Sequence, residues 1–147
     1  MGSAEAIDPA LPTGRAGVDT EELGLLADPR LAVAIDQFNA GDWYGCHDGF
    51  EELWHETAGL CRPVLQGILQ IAVGQLHAER GNRRGATILT GEGLGRLTSA
   101  PDRALGLDLL ALRQTARTWL KALQEGTPLD ELPPPVLARL QAPGGDL

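Results

Sequence analysis

Hydrophobic positions recur at helical spacing along this chain, and one stretch repeats them around most of its circumference. From Pro63 to Asn82, Val64, Leu65, Ile68, Leu69, Ile71, Ala72 and Leu76 cover well over half of a helical wheel. A helix apolar over so wide an arc is wrapped by other helices. Gln66, Gln70 and His77 share one narrow arc of the same wheel, beside Gly67 and Gly74. Buried polar groups need partners, so the source of those partners becomes the main functional question.

Around this central helix the pattern places four more. Asp28-Pro29 is a helix start, with an N-cap carboxylate and a proline at the first helical position. Leu31, Ile35 and Phe38 then share a face, and Gly41 stops the helix. Asp42 caps a second helix, Trp43 to Thr57, with Trp43, Cys46, Phe50, Leu53 and Trp54 inward and Asp48, Glu52, His55 and Glu56 outward. So short a link implies an antiparallel hairpin. Past the central helix, Gly81-Asn82 repeats the arrangement and opens a fourth helix with Ala86, Leu89, Gly93 and Leu97 on one side. Gly85, Gly91, Gly93 and Gly95 either weaken this helix or let its backbone approach another closely. Ser99 to Gly106 reads as a loop, and Asp108 caps a last helix carrying Leu109, Leu112, Ala116, Trp119, Leu120 and Leu123.

The expected fold is therefore all-α: a compact bundle of about five helices over residues 28–126, built on two tight antiparallel hairpins. Residues 1–27 read as a flexible N-terminal tail with a short helix from Thr20 to Ala27, and the Gly-rich end as loose. Residues 127–147 read as an extended tail through Leu132-Pro133-Pro134-Pro135-Val136. The two turns lie forty residues apart, a spacing that resembles stacked helical hairpins of the tetratricopeptide type.

Composition narrows the function classes. The 147 residues carry a formal charge of −8, which works against binding to nucleic acid or to an anionic membrane surface. Between Arg30 and Arg62 there are six acids and no Lys or Arg, which reads as a solvated face. Cys46 and Cys61 form no CxxC pair and read as reduced thiols. With no signal-peptide pattern and no apolar run of spanning length, the expected location is the cytoplasm.

The candidate chemistry lies where the second and central helices would meet. His47 and Glu51, four residues apart on the margin of the second helix, face Gln66, Gln70 and His77 of the central one if the two pack antiparallel. Two imidazoles and a carboxylate, His47, Glu51 and His77, are plausible ligands for a divalent metal such as zinc. They are also a plausible general acid and base. The alternative is a hydrogen-bond network that fixes helix register. His55 faces outward and reads as a surface histidine. Arg80, Arg83 and Arg84 cluster at the second turn, where Arg80 suits the C-terminal end of the central helix. Gly91-Glu92-Gly93-Leu94-Gly95 lacks the Gly-Lys-Ser/Thr of a phosphate loop.

Several pieces in order resemble a known family. Phe38-Asn39-Ala40-Gly41-Asp42-Trp43-Tyr44, then His47, Glu51 and Trp54, then Leu65-Gln66-Gly67-Ile68-Leu69-Gln70, then His77 and Gly81-Asn82 with Gly85-Ala86, are similar to the all-helical domain-of-unknown-function family numbered 309. The resemblance runs from about Leu31 to Leu97. It implies a compact helical bundle in cytoplasmic proteins of bacterial and archaeal type, with no established reaction. That family usually has His-Glu where this chain has His47-Asp48, and a bulky residue at Gly49. Two function classes follow. One is a non-catalytic binding or interaction domain with a buried His/Glu/Gln cluster, self-associating as a homodimer through the glycine-rich fourth helix. The other is a metal-dependent, hydrolase-like enzyme using His47, Glu51 and His77.

Overall fold

Asp28 accepts a hydrogen bond from the Arg30 backbone N–H at 2.9 Å, and Pro29 fills the first helical position, so the first long helix starts where the sequence places it. The structure, a computed structural model, describes residues 20–141. The expected tail over residues 1–18 and the Gly144-Gly145 end lie outside the described residues. A short helix α1 covers 20–27. It is followed by α2 (Pro29–Asn39), α3 (Trp43–Glu56), α4 (Cys61–Glu79) and α5 (Arg83–Leu97). Two short strands, β1 (Arg103–Ala104) and β2 (Leu107–Asp108), lead into α6 (Leu109–Glu125). The protein is an all-α bundle, as the hydrophobic pattern predicts. No helix among the described residues is long and apolar enough to cross a membrane.

The two turns between long helices are built alike. In the first, Gly41 takes φ +77°, and the Asp42 N–H reaches back to the Gln37 carbonyl at 2.9 Å. The Asp42 carboxylate then caps α3 by accepting from Gly45 N–H at 3.0 Å. In the second, Gly81 takes φ +78°, and Asn82 N–H reaches back to the His77 carbonyl at 2.8 Å. The Asn82 side chain caps α5 by accepting from Gly85 N–H at 2.9 Å. Glycine at the left-handed position and a capping side chain immediately after it reverse the chain with no spare residue.

Helix α4 is the centre of the bundle, packed on α3 along one side and α5 along the other. Leu65, Ile68 and Ile71 join Phe38, Phe50, Leu53, Leu97 and Leu112 in one core, each nearly sealed from water. The approach of α5 to α4 is unusually close. A Cβ on Gly93 would stand 2.7 Å from the Gly67 carbonyl oxygen and 3.0 Å from the Ile71 nitrogen. One on Gly74 would stand 2.6 Å from the Thr90 hydroxyl. Backbone thus meets backbone across this pair, so the glycines of the fourth long element serve a close approach.

Remote side chains finish the helix ends. Glu21 of α1 accepts from the N–H groups of Gly59 and Cys61 at 2.7 and 2.8 Å, supplying the cap that Leu60 cannot give α4. Arg62 lies over the Trp54 ring, 4.3 Å from its centroid, and donates to the Trp54 and Thr57 carbonyls at the end of α3. Buried Arg113 gathers the carbonyls of Leu97, Ala100 and Pro101 and pairs with Asp102. The stretch from Ser99 to Gly106 is thereby more than a loop. It holds β1, and Leu105 and Gly106 turn it into β2 with φ +56° and +70°. Strands of two residues are too short to alternate, which is why the pattern does not show them. The Pro-rich segment carries no helix or strand of its own and does not lie wholly on the surface. Leu137 is buried, its backbone is held at both ends by the Asn39 amide, and Arg139 bridges to Leu107.

Candidate functional site

The five residues singled out from the sequence fall into separate places. Helix α4 turns its Gly67, Gln70, Gly74 and His77 line toward α5, because the glycines of that line admit the close approach just described. Gln70 donates to Glu92 of α5 at 3.3 Å, while its oxygen is buried without a partner. His77 meets Asn82, with 3.1 Å between Nδ1 and the amide nitrogen. That contact makes Nδ1 an acceptor. His47 stays on α3, with Nδ1 3.2 Å from its neighbour Asp48. The side chains of Glu51 and Gln66 make no hydrogen bond among the described residues. All five are half-buried, and no side-chain hydrogen bond joins any one of them to another. The expected buried cluster between α3 and α4 is therefore replaced by contacts divided between α3 and the α4–α5 seam. Among the described residues no group of three or more His, Cys, Asp or Glu could hold a metal ion, so His47, Glu51 and His77 do not form a ligand set.

The cysteines offer no nucleophile. Both are free and buried. Burial, with Asp42 alongside, pushes the Cys46 thiol up to about 12. Burial and Glu21 push Cys61 up to about 12 as well. A thiol so raised stays protonated at neutral pH and is inert.

A different concavity combines apolar walls with convergent polar groups. It is a cleft of about 350 Å³ between the first turn, the C-terminal half of α4, α6 and the segment after it. Trp43 and Trp119 stand in its walls, with Leu132 and Pro134 closing one side. Both indole N–H groups are committed elsewhere. Trp43 Nε1 donates to Glu79 at 2.9 Å, and Trp119 Nε1 donates to the Pro133 carbonyl at 2.8 Å. The second bond ties the Pro-rich segment to α6 and fixes it as a wall.

Gln75 lies in the same wall and is the unusual group. It is only 5% exposed, yet its amide makes no hydrogen bond to any described residue. Unlike the Gln70 oxygen, its amide atoms are not sealed from solvent, so they are free to pair with water or with a ligand that enters the cleft. Asn39 shows what such an amide does when occupied: it donates to the Leu137 carbonyl at 3.0 Å and accepts from the Leu137 N–H at 2.7 Å. Gln75 was outside the polar arc drawn on the wheel. The available signal was its register, since it falls three and seven residues along from core positions at Ala72 and Ile68.

Residues 31–89 match the model of a family described as Domain of unknown function (DUF309). This is the family that the turn and central-helix motifs resemble. The matched segment spans both hairpin turns and carries Trp43, Gln75 and Glu79, whereas Trp119 and the Pro-rich wall lie beyond it. No curated protein matches the chain.

Proposed function

We propose that this chain is a non-catalytic binding protein and that its ligand occupies the cleft between Trp43, Gln75 and Trp119. One observation carries the reading: a glutamine at 5% exposure whose amide has no partner among the described residues and keeps contact with solvent, in the wall of a concavity large enough for a small ligand or a peptide side chain. Ligand sites combine mostly apolar walls with a few placed polar groups, and this cleft has that composition. The ligand would put its apolar part against the two indoles and complete the donor and acceptor of Gln75.

Two measurements test the reading. Nitrogen-15-labelled protein is titrated with a set of small organic fragments while the Gln75 side-chain amide and the indole N–H signals are followed. Saturable shifts are expected at Gln75 and at Trp43 or Trp119, with Trp54 unmoved. A fragment set that shifts none of the cleft signals ends the proposal. Thermal melting then compares Gln75→Leu with wild type. An amide kept for a ligand contributes nothing to the empty fold, so the substitution is expected to be neutral or to stabilise by up to about 1 kcal/mol. A loss of 2 kcal/mol or more, on the order expected for a satisfied buried group, would make Gln75 a structural residue.

A further inference from the structure

The cleft is not neutral, and its charge narrows what it can take. Among the described residues two ionisable side chains line it, Glu79 and Asp130, and both are carboxylates. Among the described residues no Lys, Arg or His shares the lining. Glu79 gives one oxygen to the Trp43 indole and has no second partner among the described residues. The Asp130 carboxylate has none at all among them. Arg83, the first residue of α5, directs its guanidinium to the carbonyls of Ala122 and Thr127. Both carboxylates are exposed, which places them at the mouth, while Gln75 and the indoles are buried deeper. An acidic mouth alone would be an ordinary solvated feature. Here it stands over Gln75, a residue more than nine-tenths buried that lines the same space and whose amide has no partner among the described residues.

Resting on the binding reading above, we infer that the ligand of this cleft is an amphipathic cation: an alkylammonium or guanidinium head on an apolar stem. The stem lies between Trp43 and Trp119, where aromatic faces and edges favour both hydrocarbon and cationic character. The head stays at the mouth between Glu79 and Asp130, where its N–H groups meet acceptors only and its charge is not stripped of water. Gln75 adds an acceptor below. An anionic head would meet two like charges with no counter-charge in the lining, on a chain whose net charge is already −8. The shape therefore admits several ligands, and the charge selects among them.

The test compares three probes of one length: hexylammonium, hexanol and hexanoate. Each is titrated into the full-length protein at low ionic strength, and dissociation constants are taken from the Gln75 amide shift. Hexylammonium is expected to bind at least tenfold more tightly than either of the others. In the double variant Glu79→Gln/Asp130→Asn that preference should collapse while hexanol binding is retained. Glutamine at position 79 keeps an oxygen for the Trp43 indole, and position 130 is exposed, so the fold is spared. Equal binding of all three probes would overturn the cation assignment and leave the cleft as a binding site. A preference that survives the double variant would also overturn it. If none of the three moves Gln75, the inference fails, and the fragment titration separately decides whether the cleft binds anything.

Discussion

Gly41 and Gly81 reverse the chain in the same way, forty residues apart, yet the helices they join meet through different surfaces. Between α2 and α3 the contact is made by side chains. Phe38 and Trp43 meet edge to face at 5.0 Å, and Ala34 sits opposite Gly49. Between α4 and α5 the contact is made by backbone, with Gly67 and Gly93 facing one another. The turn makes a hairpin antiparallel, but the residues on the facing stripes set the separation. Only the second hairpin has none to spare.

The largest effect should follow from filling that second seam. Gly93→Ala places a methyl group against main-chain atoms of Gly67 and Ile71, which cannot rotate away. A cost of about 3 kcal/mol is expected, toward the upper end for overpacking. Gly49→Ala meets only the Ala34 methyl, at 3.2 Å, while gaining up to about 1 kcal/mol of helix propensity. Urea unfolding should therefore separate the two variants by more than 2 kcal/mol on the order set by those terms. Similar midpoints would mean that the two hairpins are packed alike after all.

The turns themselves should respond equally. Gly41→Ala and Gly81→Ala each force an L-residue into the left-handed region, with φ near +77° in both, at a cost of about 1–2 kcal/mol. Neither site has a neighbour within 4 Å of an added Cβ, so backbone strain is the only difference to be measured. Matching shifts in the unfolding midpoint would confirm that turn and seam are independent properties. A much larger loss at Gly81 would show that the tight seam depends on its turn.

That independence explains which parts of the molecule could be read from the residues. Gly-Asp and Gly-Asn are local signals, and they place both turns correctly. The length of the apolar arc places α4 at the centre. The direction of its polar stripe is not local, because it depends on which neighbour can come close. Gly67 and Gly74 on one helix and Gly93 on the other carry that information jointly, and neither set carries it alone. Read on one wheel, Gln70 and His77 point toward α3; with the glycines matched, they point toward α5. The cleft was harder still, since its walls come from Trp43, Gln75, Trp119 and Pro134, drawn from four distant stretches. Arg113, with no periodic pattern to mark it, becomes essential only when three carbonyls converge on it.

Acid should distinguish the hairpins more gently. At the open end of the first, Arg30 of α2 bonds Glu56 of α3 at 2.7 Å and Asp28 at 2.7 Å. Hydrogen bonds from this guanidinium hold both carboxyls below the usual carboxylate range. A folded-state value that lies below the unfolded one gives stability that is complete above the unfolded value and lost as pH falls through the folded one. The usual values are about 3.9 for Asp and 4.3 for Glu. The clamp should therefore act in full at neutral pH and fade below about pH 4. Both carboxyls are solvated, so the effect is small and weakens with salt. Melting temperatures of wild type and Arg30→Gln, measured at low ionic strength, should differ slightly at pH 7 and converge near pH 3. The second hairpin has no ion pair of this kind among the described residues. Instead, the Nδ1 of His77 accepts from Asn82 while the other end of that amide caps α5.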